Sequence, residues 1–235
     1  MKIDCEIIKD LLPLYHDEAV SEKTAEAVED AKGKPIWPMV QVYPENGKTP
    51  TADEIRSTAL QTLFSGAKGT GYFPIYGYSR ETVDGVAYRR SLHEIPEVWN
   101  PMVERKNEIN TVMNIFTRAD RAKHPEISDV TNENTGVREI SWYDGEDRYM
   151  AFLNTKGRGL LAGETSDAYN AASKAFTSMA RVSLPNVAVE TIIGPAENVS
   201  YQDGVLTVNL EYCGVYVLKI EDENAENSLG FNGQF

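Results

Sequence analysis

The chain has 235 residues, 41% of them hydrophobic, enough for one or two buried cores. Asp and Glu number 36 against 23 Lys and Arg, a formal net charge of −13 with no basic cluster, so binding to a phosphate backbone by counterion displacement is not expected. No run approaches the ~18 apolar residues of a membrane span, and the two cysteines, Cys5 and Cys213, fall in different predicted domains and give no disulfide framework.

The first residues, MKIDCEIIKDLLPLY, lack a basic stretch followed by an unbroken apolar run. They do not read as a signal peptide, and a reduced, cytoplasmic location is expected. Cys5, Ile8, Leu11, Leu12 and Tyr15 lie at helical spacing, with Pro13 inside the pattern to kink or end it. Ser21 caps a second predicted helix that runs to about Lys32, where Gly33 suits its stop. Residues 35–43 are apolar on both faces, as a buried parallel strand is, although Pro38 donates no ladder hydrogen bond. Thr51 and Glu54 have the spacing of a capping box, and the helix behind them aligns Ile55, Ala59, Thr62, Leu63 and Gly66. A second strand is predicted over 70–78, with Pro74 in it.

Residues 79–95 read as a long loop holding a tight hairpin around Asp84-Gly85. Pro96 suits a first helical turn, and the helix it opens runs to about Ala119. Its apolar stripe is Trp99, Met102, Val103, Ile109, Met113 and Phe116, interrupted by a snorkelling Lys106. From about Glu126 the period changes to two. Strands are predicted at 138–142, 148–154, 177–184, 187–193, 198–201, 205–210 and 215–220, with hairpin turns at Asp144-Gly145 and Asp203-Gly204. That spacing predicts an antiparallel sandwich. Residues 157–174, rich in small side chains, read as a loop, and the acidic tail from 221 is expected to fray.

KPIWPMVQVYP followed by PTADEIRSTALQTLFSGAKGTGYFPIYGY resembles the last two strand–helix units of glycoside hydrolase (β/α)8 barrels. YMAFLNTKG resembles the strand ending in Asn of the small sandwich that often follows such barrels, and GVLTVNLEYCGVYVLKIE its closing hairpin. The resemblance covers about residues 33–220. It implies an α/β partial TIM-barrel fragment of two βα units with N-terminal helices, followed by an all-β antiparallel sandwich. CEIIKDLLPLYHDEAVSEKTAEAVED separately resembles the start of bacterial zinc-finger anti-sigma factors. Cys5 matches their early Cys, but Asp30 and Ala31 stand near where their His is expected, and no C-x-x-C follows. Cys5 and His16 supply at most two of the roughly four ligands of a structural zinc site, so no metal and no other cofactor is expected. The implied division is 1–32 anti-sigma-like helices, 33–120 partial barrel, 126–220 sandwich and 221–235 acidic tail.

Glycosidases of this kind use two carboxyl groups placed at the C-terminal ends of barrel strands. Glu45, just past the first strand, is the candidate catalytic residue. The competing reading, a loop carboxylate in the turn Pro44-Glu45-Asn46-Gly47, is favoured because a pair is required. Glu81 and Asp84 follow the next strand, but nothing in their spacing brings them to Glu45. Gln41, Tyr43, Tyr76 and Tyr78 near the strand ends are the candidate substrate-binding residues, since aromatic faces and an amide suit a sugar. Trp37 and Tyr72 are expected in the core. Glu54 is assigned to the helix cap, and Arg56 either pairs with a strand-end carboxylate or is solvated. His16, His93 and His124 lack a nucleophile partner in any recognisable motif.

Three functions compete. The first is a truncated, glycoside hydrolase-like, carbohydrate-related protein that is catalytically incomplete alone. The second is an anti-sigma-like regulator with a carbohydrate-sensing C-terminal part, and the third is a non-functional fusion product. The expected partners are a carbohydrate ligand, other copies of the chain through open sheet edges, and a sigma factor in the second reading only. Nucleic acid and membrane are not expected partners. Missing barrel neighbours would leave the stripe through Trp99, Ile109 and Phe116 exposed and residues 1–120 unstable.

Overall fold

The computed structural model describes residues 17–42, 50–73, 79–83, 86–116, 130–131, 136–144, 147–156 and 164–222. The chain divides into two compact units, Met1–Thr117 with Thr155–Phe176, and Arg118–Asn154 with Thr177–Phe235. Cys5 and His16 lie outside the described residues.

In the first unit, helix α1 (Asp17–Asp30) precedes strand β1 (Met39–Gln41), helix α2 (Ala52–Phe64) and strand β2 (Gly71–Phe73). β1 and β2 pair in parallel, with Met39 opposite Gly71, Val40 opposite Tyr72 and Gln41 opposite Phe73. β1 is shorter than the nine residues expected, because Pro35 and Pro38 bring no N–H to a ladder. The capping box is present. Thr51 Oγ1 accepts from Glu54 N at 3.2 Å, and Glu54 Oε2 accepts from Thr51 N at 2.8 Å. Such a cap contributes about 1 kcal/mol.

The single stripe expected on α2 is too narrow. From Glu54 to Phe64 every residue but Thr58 is buried, since α2 packs against α1, β1 and the later helix α3 (Pro96–Phe116). Gln61, Thr62 and the C-cap Ser65 are satisfied within the helix. Gln61 Nε2 donates to Ser57 Oγ at 3.2 Å, Thr62 Oγ1 to the Ala59 carbonyl at 2.8 Å, and Ser65 Oγ to the Gln61 carbonyl at 2.8 Å. Buried hydroxyls cost stability only when left unpaired, so these polar positions tolerate the core.

The hairpin expected near Asp84-Gly85 joins β3 (Ser79–Val83) to β4 (Val86–Arg90), with Val83 opposite Val86. α3 begins at Pro96 and carries a second proline, Pro101, where the bond to the Glu97 carbonyl is lost. Its stripe is not left bare, contrary to expectation. Ile109, Val112 and Phe116 are buried, and the Phe116 ring meets Phe64 edge-on at 5.4 Å. Val103, assigned to the same stripe, is exposed. Within 157–174, read as a loop, α4 (Ser166–Ser173) forms, with Thr165 Oγ1 accepting from Ala168 N at 3.2 Å. The N-cap and the alanine content outweigh the small-residue signal.

The second unit holds strands β5 (Val130–Thr131), β6 (Val137–Asp144), β7 (Asp147–Asn154), β8 (Ser178–Ser183), β9 (Val187–Ile193), β10 (Val199–Gln202), β11 (Val205–Leu210) and β12 (Val215–Asp222). They form two four-stranded antiparallel sheets, ordered β10-β11-β8-β5 and β6-β7-β12-β9. β10 and β11 are joined by Asp203 and Gly204, at φ +51° and +76°, the paired positive φ of a two-residue hairpin turn. One core draws on both sheets: Met150, Phe152, Tyr216, Leu218 and Ile220 from one, Ala180, Val182, Leu206, Val208 and Leu210 from the other. Each fully buried side chain of this size contributes about 1.5–3 kcal/mol. Trp142, Tyr149, Ala151, Leu153 and Val217, on the other face of the β6–β9 sheet, are buried as well.

Candidate functional site

The parallel pair β1–β2 has two unlike faces. Val40 and Val42 are buried on the face that carries α2. Tyr72, opposite Val40, is half-buried, and burial pushes its phenol pKa above the ordinary value. Tyr72 therefore packs, as expected. Trp37 and Met39 alternate to the other face, where they are 63% and 56% exposed. The core position expected for Trp37 is thus corrected: among the described residues nothing covers the face that holds it. A Cβ at Gly69 would come within 2.7 Å of the Trp37 ring, and one at Gly71 within 2.6 Å of Met39 Sδ. The two glycines let these large side chains lie against the entry to β2.

Gln41 ends β1 opposite Phe73, the end of β2, so the two C-terminal strand ends lie side by side. The side chain of Gln41 lies outside the described residues, as do Tyr43, Glu45, Tyr76 and Tyr78. Asp84, His124 and the Glu81 side chain do too.

Arg56, open to two readings in the sequence, takes neither. It is 8% exposed, and its Nε donates to Glu108 Oε2 on α3. Arg105 extends the network, with Nη1 3.1 Å from Glu108 Oε1 and Nη2 3.3 Å from Asp53 Oδ1. These charges clamp α2 to α3. His93 sits on a short 3-10 turn, Leu92–Glu94, with its ring 6.4 Å from Trp99. Among the described residues no group of three or more His, Cys, Asp or Glu could hold a metal ion, and no helix is long and apolar enough to cross a membrane.

A second polar group, on β6 and β7, escaped the sequence reading. Register sets Glu139 opposite Phe152, Ser141 opposite Met150 and Tyr143 opposite Arg148, all on the core-bearing face. Simple alternation would send Glu139 and Ser141 to solvent, with Ile140 and Trp142 inward. Both faces of this sheet are buried, and the unbroken run Tyr149–Leu153 on the partner strand was the available signal.

No known family model matches the chain, and neither does any curated protein. Solved structures do. The chain is similar to an α-amylase from Geobacillus thermoleovorans, solved with acarbose, at 10% identity and a TM-score of 0.52, over 89% of this chain and 46% of that one. Amy13B of Eubacterium rectale matches at 11% identity and a TM-score of 0.46, over 87% and 46%. A glycoside hydrolase family 5 protein from Bacteroides vulgatus matches at 14% and 0.44, over 88% and 45%. The chain spans a little under half the length of these structures. At such identity the likeness is one of fold. The chain has a partial glycoside hydrolase-like fold of mixed helices and antiparallel sheets.

Proposed function

We propose that the chain is a carbohydrate-related, glycoside hydrolase-like protein that corresponds to the end of a barrel and its following sandwich, and that it is catalytically incomplete alone. The observation that carries this reading is the β1–α2–β2 unit. Two parallel strands joined through a capped helix are the repeat of a (β/α)8 barrel, and parallel strands belong in sheets covered on both faces. Here one face is covered by α2, and the other presents Trp37 and Met39. That second face is where further barrel strands would pack. The likeness to the acarbose-bound amylase over 46% of its length supports the same reading.

On this reading residues 33–120 are the barrel part and 126–220 the sandwich. Gln41 ends β1, and in sequence Tyr43, Glu45, Tyr76 and Tyr78 follow the two strand ends, where barrel enzymes place their substrates. Glu45 is then one carboxylate without its pair, and the tyrosines are a residual sugar-stacking surface. The purified chain should hydrolyse no aryl glycoside above a Glu45→Gln control. It should bind oligosaccharides weakly, and Tyr76→Ala with Tyr78→Ala should abolish that binding. Turnover that Glu45→Gln eliminates would overturn catalytic incompleteness. Failure to bind any of a panel of neutral plant and microbial glycans would overturn the carbohydrate assignment.

A further inference from the structure

Trp37 and Met39 are the two most exposed large apolar side chains among the described residues, at 63% and 56%, and they stand on one face of the chain entering β1. They are held there by backbone. Gly69 and Gly71 lie against them, Lys68 N donates to the Ile36 carbonyl at 2.9 Å, and Gly71 N donates to the Pro38 carbonyl at 2.9 Å. Lys32 and Lys34 lead into Trp37, Lys68 is bonded beside it, and all three lysines are exposed. The patch is apolar, with positive charge at the end where β1 is entered. A fixed, exposed apolar patch with a polar border marks a docking surface.

Its cover must be apolar and carry negative charge at one end. Residues 1–16, outside the described residues, have that character in sequence. Cys5, Ile8, Leu11, Leu12 and Tyr15 recur at helical spacing, and Asp4 borders the same stripe. An amphipathic stripe needs an apolar surface to face. The tether fits as well. The segment ends where α1 begins, and the 14 residues of α1 span ~21 Å. Pro13 interrupts the helical pattern just before α1, so the chain can turn back along that helix. As a helix, residues 2–12 span ~16 Å. That length carries Asp4 and Cys5 toward the far end of α1, which lies seven residues before Trp37. The acidic end of the segment then arrives at the lysines. A second copy fits less well, because each chain carries a net charge of −13 and two such bodies repel.

We propose that the N-terminal segment of this chain folds back over the β1–β2 face and covers Trp37 and Met39. Cys5 and Ile8 lie nearest Trp37, Leu11 and Leu12 complete the apolar contact, and Asp4 meets Lys32 and Lys34. The inference rests on the exposed face itself and not on its descent from a barrel.

The test is NMR of the full-length, isotopically labelled chain with a soluble gadolinium chelate. Three tryptophans give three indole N–H signals, and Trp37→Phe identifies the one from Trp37. In the wild type that signal should resist the chelate. In the Ile8→Glu, Leu11→Glu double variant its relaxation enhancement should rise at least about threefold, as water replaces the apolar cover. Ile8→Ala should give a smaller rise in the same direction. The Trp99 and Trp142 signals should keep their positions in both variants and report an intact fold. If the double variant loses them, Ile8→Ala carries the test. A Trp37 signal fully open to the chelate in the wild type would overturn the proposal. So would protection that both variants retain, the result if another part of the chain covers the face. Protection that grows with protein concentration would overturn it in favour of a second copy. No sugar enters these measurements, so each of these failures leaves the carbohydrate assignment to its own test.

Discussion

The Asn154 side-chain amide donates to the Glu211 carbonyl at 2.7 Å, tying the end of β7 to the turn that precedes β12. The same nitrogen reaches the Leu210 carbonyl at 3.4 Å, and Asn154 Oδ1 accepts from Ser178 Oγ at 3.2 Å. The Asn154 backbone N–H also donates to the Gly214 carbonyl at 2.9 Å. Asn154 is wholly buried, so each bond replaces one that water cannot supply. The asparagine that ends YMAFLN is therefore a strut holding β7, β8 and the β11–β12 turn in place.

Asn154→Ala should destabilise the protein by about 2–3 kcal/mol, because it strands buried carbonyls and a hydroxyl together. Urea unfolding should show a lower midpoint with an unchanged slope. Asn154→Asp should be at least as damaging, since it loses the donor and buries a charge. A wild-type midpoint in the alanine variant would dismiss the strut.

Gly194 makes a harder demand. It sits at φ +102°, and a Cβ there would stand 2.4 Å from Tyr216 Cδ1. The Tyr216 ring is pinned at its far end, where its hydroxyl donates to Glu211 Oε2 at 2.6 Å and accepts from Asn198 Nδ2 at 2.7 Å. Gly194→Ala should therefore cost ~3 kcal/mol, strain and overpacking combined. Gly204→Ala is the control. It shares the positive φ, but only Pro185 Cα comes near, at 3.8 Å, so about 1 kcal/mol is expected. Equal thermal shifts for the two variants would refute the role of Tyr216.

The antiparallel strands were legible because their signals are local. Asp203-Gly204 dictates a turn, and 187–193 and 205–210 alternate between such turns, so their bounds match the structure. The capping box at Thr51 and Glu54 is likewise written in four residues. What failed depends on distant neighbours. Whether Trp37 is covered depends on what lies across β1, and nothing in IWPMV states it. Arg56 finds Glu108 across 52 residues of sequence. Glu139 and Ser141 face the core because both faces of their sheet are buried, which removes the contrast that alternation relies on.

The Arg56–Glu108 pair should respond unequally to its two halves. Arg56 is nearly wholly buried and Glu108 partly so, whereas Asp53, the outer member of the network, is exposed. Glu108→Gln leaves a buried guanidinium without its counter-charge and should cost on the order of 3 kcal/mol. Asp53→Asn removes an exposed ion pair and should cost less than about 0.5 kcal/mol. Arg56→Met combined with Glu108→Leu should recover much of the single-variant loss, because an apolar pair requires no desolvation of charge. Urea midpoints for the four chains give the comparison. A double variant no more stable than Glu108→Gln would mean that the loss does not come from a stranded charge.

Glu139 should make stability fall as pH rises. Its carboxyl is raised from an ordinary 4.5 to about 7, burial being the main cause and Arg148 opposing it. Below about pH 4.5 the folded and unfolded chains both hold the proton, and above about 7 neither does. Between those limits the folded chain keeps a proton that the unfolded chain has released. Each step up in pH through that window therefore favours unfolding. Because the side chain is only partly buried, solvent screening reduces the effect to ~1 kcal/mol across the window. Glu139→Gln is permanently neutral and should lack this component. Urea midpoints measured between pH 5 and 8 should decline more for the wild type than for Glu139→Gln, with the two curves converging at the acid end. Parallel curves would show that the Glu139 carboxyl titrates at its ordinary pH in the folded chain.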